Sequence, residues 1–233
     1  MVELFPEGFE ECDVTRGVEL AAYADAAGEE LMRSVFGFVQ AEAVEAGWEE
    51  RWREFHHGIE VAGLWVGPPW ETAPVGIGAV VIDPGQAFGT GSHATTRLCL
   101  ELLDDLPRAS LLDVGCGSGV LAIAAARLGF SPVHAIDVDP LAVRATEQNA
   151  TENGVDVEVF EGDAFAGELP ETEVTVANLT LDAVRALAPR VCSPVLVTSG
   201  YLAGDLLRLD GREPVCAREL DGWRADVWRA LPQ

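Results

Sequence analysis

The residues best suited to chemistry stand in one run, Asp113-Val114-Gly115-Cys116-Gly117-Ser118-Gly119. Glycines at alternate positions make a turn without side-chain bulk, so backbone N–H groups can approach a ligand closely. The spacing carries information. A dinucleotide fingerprint places its glycines as G-x-G-x-x-G. Here the third comes one place early, at Gly119, and Val120 occupies the later place. A second acid, Asp137, follows about 20 residues beyond the turn, where a carboxylate that binds ribose hydroxyls belongs. A third polar group, Asn178, closes the apolar run Val174-Thr175-Val176-Ala177. Taken alone, the glycine turn also suits another nucleotide or plain tight packing; Asp137 at its place weighs against the bland reading.

These groups need strands and helices to hold them. Leu111–Val114 reads as a buried parallel strand, Val120–Leu128 as an apolar helix, and Gly129 as its C-cap. Val133–Asp137 is the second strand. Pro140 opens a helix that runs over 141–153, where Asn153-Gly154 stops it. Val155–Phe160 is the third strand and leads to Asp163-Ala164. Residues 173–180 form the fourth strand and its exit, and Val195–Gly200 the fifth. A helix is expected over 202–209, then two strands, 213–220 and 224–230, closed by a hairpin at Gly222-Trp223. Upstream, Val75–Ile82 reads as a strand, and a helix runs from Thr95 or Thr96 to Pro107. The pattern predicts an α/β fold with a doubly wound sheet over residues 75–233.

Between those two elements lies Gly85-Gln86-Ala87-Phe88-Gly89-Thr90-Gly91-Ser92-His93-Ala94-Thr95-Thr96. This loop, Gly-x-Ala-Phe-Gly-Thr-Gly-x-His-x-Thr-Thr, is similar to the one preceding the core in the bacterial lysine methyltransferases that act on protein eleven of the large ribosomal subunit. The Asp-x-Gly-x-Gly-x-Gly turn likewise resembles the first motif of class I methyltransferases dependent on S-adenosylmethionine. The resemblance implies a Rossmann-like class I sheet and S-adenosylmethionine as cofactor. It implies that Phe88, Gly89, Thr90, Asp113, Gly115, Gly117, Gly119, Asp137, Val138, Asp163, Ala164 and Asn178 hold the cofactor. Asp163 would lie near the adenine, and Asn178 and Thr90 would be catalytic. Thr180 departs from the family pattern, which has an aliphatic or aromatic residue there.

Residues 1–47 form a Glu-rich block with Arg16 and Arg33 as its cations, expected to be a small α+β module resembling a substrate-recognition domain. Strands are expected at 18–24 and 38–44, with a short helix at 28–36. The block is shorter than the family's recognition domain and shows no first strand by pattern. Residues 48–74 read as a Trp-rich connector in which Trp48, Trp52 and Phe55 share a helical face. His56-His57 invites a metal site, but no acid or cysteine is read as supporting one, and packing of the connector is the preferred reading.

The chain has 233 residues, 48% of them hydrophobic, and a net charge of −24 in which every cation is Arg. Such a surface repels a phosphate backbone and attracts a basic protein or cationic substrate. The five cysteines are scattered without a C-x-x-C pair, so no zinc site or disulfide framework is expected. No stretch is long and apolar enough for a membrane span, and the acidic N-terminus lacks the basic region of a signal peptide. A cytoplasmic monomer that methylates a ribosomal protein is the leading expectation. Two alternatives stay open: methylation of another protein or small-molecule amine, and cofactor binding without turnover.

Overall fold

The structure, a computed structural model, describes residues 10–14, 17–21, 32–36, 39, 56–83 and 91–232, with backbone alone over 10–21. The chain divides into two compact units, Met1–Glu49 and Glu50–Gln233. In the first, β1 (Glu10–Val14) pairs antiparallel with β2 (Gly17–Ala21), in register from Glu10↔Ala21 to Val14↔Gly17. A first strand is therefore present, contrary to the sequence expectation. Three acids among its five residues argue against a strand by propensity, but pairing is carried by the backbone. Residues 32–36 are helical. The expected strand at 38–44, apart from residue 39, and the Trp48–Trp52–Phe55 face lie outside the described residues.

The second unit holds two sheets. A three-stranded one has the order β3 (Ile59–Val61), β4 (Leu64–Gly67), β5 (Gly78–Val81), so part of the expected connector is sheet. The larger, seven-stranded sheet has the order β11-β12-β10-β9-β6-β7-β8. Its strands are β6 (Leu111–Val114), β7 (Val133–Asp137), β8 (Glu158–Glu161), β9 (Val174–Asn178), β10 (Val195–Leu202), β11 (Arg212–Leu220) and β12 (Trp223–Ala230). β6 to β10 run parallel, and β12 is antiparallel to both β10 and β11.

Alternate residues of central strand β6 feed opposite faces. Leu111 joins a core with Leu98 and Leu102 of α1 (Ala94–Asp104), Ile123 of α2 (Val120–Leu128), and Val66 and Val80 of the small sheet. Leu112 and Val114 join Leu187 of α4 (Leu181–Leu187), Leu196 and Trp228 on the other face. Ala150 places α3 (Pro140–Asn153) with the first core. Helices thus cover both faces, as the doubly wound reading requires.

The expected helix over 202–209 does not form. β10 continues to Leu202, pairing Tyr201 with Arg224 and Leu202 with Trp223 after a bulge at Ser199/Tyr201. Strand pairing takes the residues that would have begun the helix, and an irregular segment still delivers Leu207 and Leu209 to the core.

Candidate active site

The chain leaves β6 toward β7 and β8, then returns to lay β9 on the other side of β6. That reversal is the switch point at which open α/β sheets bind ligands, at the carboxyl ends of their strands. A cavity of about 270 Å³ lies there. Its walls come from four strand exits: Gly115, Cys116 and Gly117 after β6, Asp137 and Val138 at β7, Gly162 to Phe165 after β8, and Asn178 and Leu179 at β9.

The turn after β6 is built as the alternate glycines predict. Gly115, Gly117 and Gly119 have φ of 73°, 56° and 82°, the left-handed region where a side chain is strained. Gly119 also lies against Thr146, whose Cγ2 would stand 2.7 Å from an added Cβ. Gly119 caps α2 without a side-chain bond, and Val120 and Leu121, whose N–H groups head the helix, line the cavity. Cys116 lines it too, but burial first, and then the nearby Asp113 carboxyl, pushes its thiol up to about 12. It is therefore a neutral wall, not a nucleophile.

Asp137 braces the turn. Its Oδ2 accepts from Gly117 N–H at 3.0 Å and its Oδ1 from Asp139 N–H at 3.0 Å. Each oxygen keeps a further lone pair for a ligand hydroxyl. Asp163, exposed, accepts from Phe165 N–H at 2.8 Å, and Arg190 holds the same turn through the carbonyls of Ala164 and Gly167. Val138 and Phe165 are 69% and 43% exposed, so two apolar side chains stand open at this end of the cavity. At the other end the Asn178 Nδ2 donates to Thr95 Oγ1 at 3.1 Å and to Thr96 Oγ1 at 3.4 Å.

The structure thus gathers Gly115, Gly117, Asp137, Val138, Asp163, Ala164 and Asn178 around one cavity. Asp113, buried against Ala122, and Gly119, packed on Thr146, do not line it. Phe88, Gly89 and Thr90 lie outside the described residues. Thr96 and Phe165 line the cavity without having been singled out for it; the Thr-Thr of the loop motif was the available signal for Thr96. Sequence reasoning gave Thr146 and Asn149 no role and Asn153 only that of ending the helix; the three form a buried polar stripe on α3. Thr146 Oγ1 donates to the Gly117 carbonyl at 3.0 Å. Asn149 Nδ2 donates to the Ser118 carbonyl at 2.8 Å, and its Oδ1 accepts from Asp83 N–H at 3.3 Å. The stripe ties the glycine turn to the end of β5. His57 departs from its reading as well, since Glu71 Oε1 sits 2.8 Å from its Nδ1, brought close by the β3–β4 pair and the turn that follows it. Among the described residues no group of three His, Cys, Asp or Glu could hold a metal ion.

Asp113 is 1% exposed and accepts from Ala122 N–H at 3.1 Å. Burial lifts its pKa to about 7; the Ala122 bond opposes this and the Asp137 charge adds to it. A raised pKa means the folded protein holds a proton that the unfolded chain has released. The resulting stabilisation is whole below the unfolded value and fades as pH rises through the folded one. Asp113→Asn keeps the acceptor for Ala122 without titrating. Its stability relative to the parent should therefore rise between about pH 4 and pH 7, by a few kcal/mol in order of magnitude. Melting temperatures of both proteins across that range check it; parallel curves would contradict it.

Comparisons with known proteins identify the family. The family model described as ribosomal protein L11 methyltransferase (PrmA) matches residues 11–222, and so reaches into the acidic block that departs from the resemblance by pattern. The ribosomal protein L11 methyltransferase of Caldanaerobacter subterraneus is 38% identical over 174 residues, covering 72% of this chain and 56% of that protein. Its namesake from Escherichia coli is 38% identical over 188 residues, covering 77% and 62%. The chain thus spans little more than half the length of these curated relatives. A ribosomal protein L11 methylase from Lactobacillus delbrueckii superposes with a TM-score of 0.65 at 26% identity, over 76% of this chain and 100% of that one. On the match over 11–222, this chain belongs to the ribosomal protein L11 methyltransferase family.

Proposed function

We propose that the chain transfers a methyl group from S-adenosylmethionine to an amine of a basic protein, with ribosomal protein L11 as the substrate its relatives' names suggest. The observation that carries this is the placing of Asn178 in the same cavity as the glycine turn and Asp137. One end of the cavity suits a nucleoside. There Asp137 can accept from ribose hydroxyls, Val138 and Phe165 offer apolar faces to a base, and Asp163 can accept from its exocyclic amine. Bound there, S-adenosylmethionine supplies a methyl group on a positively charged sulfur that an amine nitrogen can displace in line.

The protein's task is alignment and exclusion of water. Asn178 offers a side-chain oxygen to the incoming amine, and enclosure in the cavity favours the neutral form of a lysine over its cation. No strong general base is needed. A net charge of −24 favours approach of a basic polypeptide and opposes direct nucleic-acid binding. Among the described residues no helix is long and apolar enough to cross a membrane. The proposed setting is the cytoplasm, where ribosomal proteins are made.

The test incubates the chain with tritiated S-adenosylmethionine and a cell extract, and identifies the labelled band by mass spectrometry. Label in L11 supports the proposal. Label in another protein or a small amine moves the acceptor, and the exposed Thr180 beside Asn178-Leu179 favours that outcome if L11 is passed over. Tight cofactor binding with no label anywhere would make the chain a binder.

The cofactor half is tested separately. Asp137→Ala should weaken S-adenosylmethionine binding by about 1.5–3 kcal/mol, roughly ten- to a hundredfold by calorimetry. A change within about twofold would reduce Asp137 to a brace for Gly117 and Asp139. The parent protein should prefer S-adenosylmethionine to NAD; tight NAD binding with no response to S-adenosylmethionine would overturn the reading.

A further inference from the structure

His93 lies outside the cavity, exposed at the N-cap of α1, and no role in the reaction is assigned to it above. Its Nδ1 accepts from Thr95 N–H at 3.3 Å and lies 2.8 Å from Thr95 Oγ1. A backbone N–H can only donate, so Nδ1 is the unprotonated nitrogen of the ring. The hydroxyl contact then has one direction, with Thr95 Oγ1 donating to Nδ1. Having given its one proton to His93, that oxygen can only accept from the next group, the Asn178 carboxamide 3.1 Å away. Its Nδ2 must face Thr95, because Oδ1 turned to that side would set two lone pairs against each other. Thr96 Oγ1, 3.4 Å from Nδ2, accepts from the same nitrogen. Among the described residues no hydrogen bond engages Asn178 Oδ1.

We infer that His93 is a positioning residue for the transfer step: through the Thr95 hydroxyl its Nδ1 lone pair fixes the Asn178 carboxamide with Oδ1 turned toward the acceptor amine. The inference rests on the reading that Asn178 holds that amine. The imidazole is itself placed by two contacts, the helix cap it forms and the Trp223 ring, whose centroid is 4.9 Å away at an interplanar angle of 69°. The exit of β9 and the start of α1 are thus joined by a directed chain of bonds, imidazole to hydroxyl to carboxamide. Without the imidazole, the Thr95 proton is free to go to Asn178 Oδ1, and the carboxamide can adopt either face.

The experiment uses His93→Ala, His93→Asn and Thr95→Val, each alone and with Asn178→Ala. Asn at 93 keeps an oxygen that can cap the helix and accept from the Thr95 hydroxyl; Ala keeps neither. Single-turnover methylation should fall about tenfold in His93→Ala and in Thr95→Val. S-adenosylmethionine affinity should be nearly unchanged, and the rate should return in His93→Asn. On the Asn178→Ala background these substitutions should have no further effect on rate. The Asn178 side-chain NH2 resonances, identified by their loss in Asn178→Ala, should move in His93→Ala and return in His93→Asn.

A rate that falls with Asn178→Ala but not with His93→Ala or Thr95→Val overturns the relay. So does a fall in His93→Ala that persists in full on the Asn178→Ala background, which marks His93 as a cap only. If the resonances move as described while Asn178→Ala itself leaves turnover intact, the relay stands as a structural device and the reading of Asn178 fails instead.

Discussion

Asn178→Ala is expected to slow methyl transfer on the order of a hundredfold while leaving affinity for S-adenosylmethionine nearly unchanged. The split follows from where the side chain sits. The groups that suit the nucleoside, Asp137, Val138, Phe165 and Asp163, lie at the exits of β7 and β8, whereas Asn178 leaves β9 on the other side of β6. Removing its carboxamide takes nothing from the nucleoside end. On the proposed reading it deprives the acceptor of its oxygen partner, and it leaves the Thr95 and Thr96 hydroxyls without their donor. A misaligned nucleophile costs rate and not cofactor binding. Single-turnover rates and cofactor titrations on one sample separate the cases. Unchanged turnover with a lowered melting temperature would show that Asn178 only fastens the β9 exit to α1.

The largest effect on stability is expected from Gly200→Ala. Gly200 has φ of 100°, and a Cβ there would stand 2.1 Å from the Leu179 carbonyl oxygen and 2.6 Å from its carbon. A backbone obstacle cannot swing aside as a side chain can. Strain at the dihedral and displacement of the neighbour together should cost roughly 3–5 kcal/mol. For a protein of this size that lowers the melting temperature on the order of 10 °C. Activity should fall with it, because Leu179 N–H is bonded to the Ser199 carbonyl at 3.0 Å and the next residue back is Asn178. Gly204→Ala supplies the control, since nothing stands within 4 Å of a Cβ there. Equal melting temperatures for the two variants would contradict the account.

Much of the site could be read from residue types because local rules decide those positions. Glycines at 115, 117 and 119 are needed where φ is positive. Pro140 and Gly154 mark the ends of one helix by their own backbone preferences, and Gly129 caps another at φ of 99°. An acid ending an apolar run, as Asp137 does, shows its place by contrast with its neighbours. What was not legible depends on partners far away in sequence. Leu202 reads as a helix start but is taken by Trp223 in the sheet. β1 shows no strand by pattern but pairs through its backbone. Asp113 carries the motif's acid, yet its side chain faces α2 and the buried interior, a matter of which side of β6 it occupies.

The polar stripe of α3 has a bearing on how the protein behaves among other copies of itself. β5 ends the three-stranded sheet, and its outer edge would offer unpaired N–H and C=O groups to any passing strand. At Val81 the Asn153 carboxamide takes both, accepting from the N–H at 2.8 Å and donating to the C=O at 2.6 Å. One side chain thus does for that residue what a neighbouring strand would do. The usual preference for apolar side chains in a core is reversed here. Leucine at 153 would remove both bonds and leave the Val81 N–H and C=O without these partners, the condition under which a strand edge invites pairing.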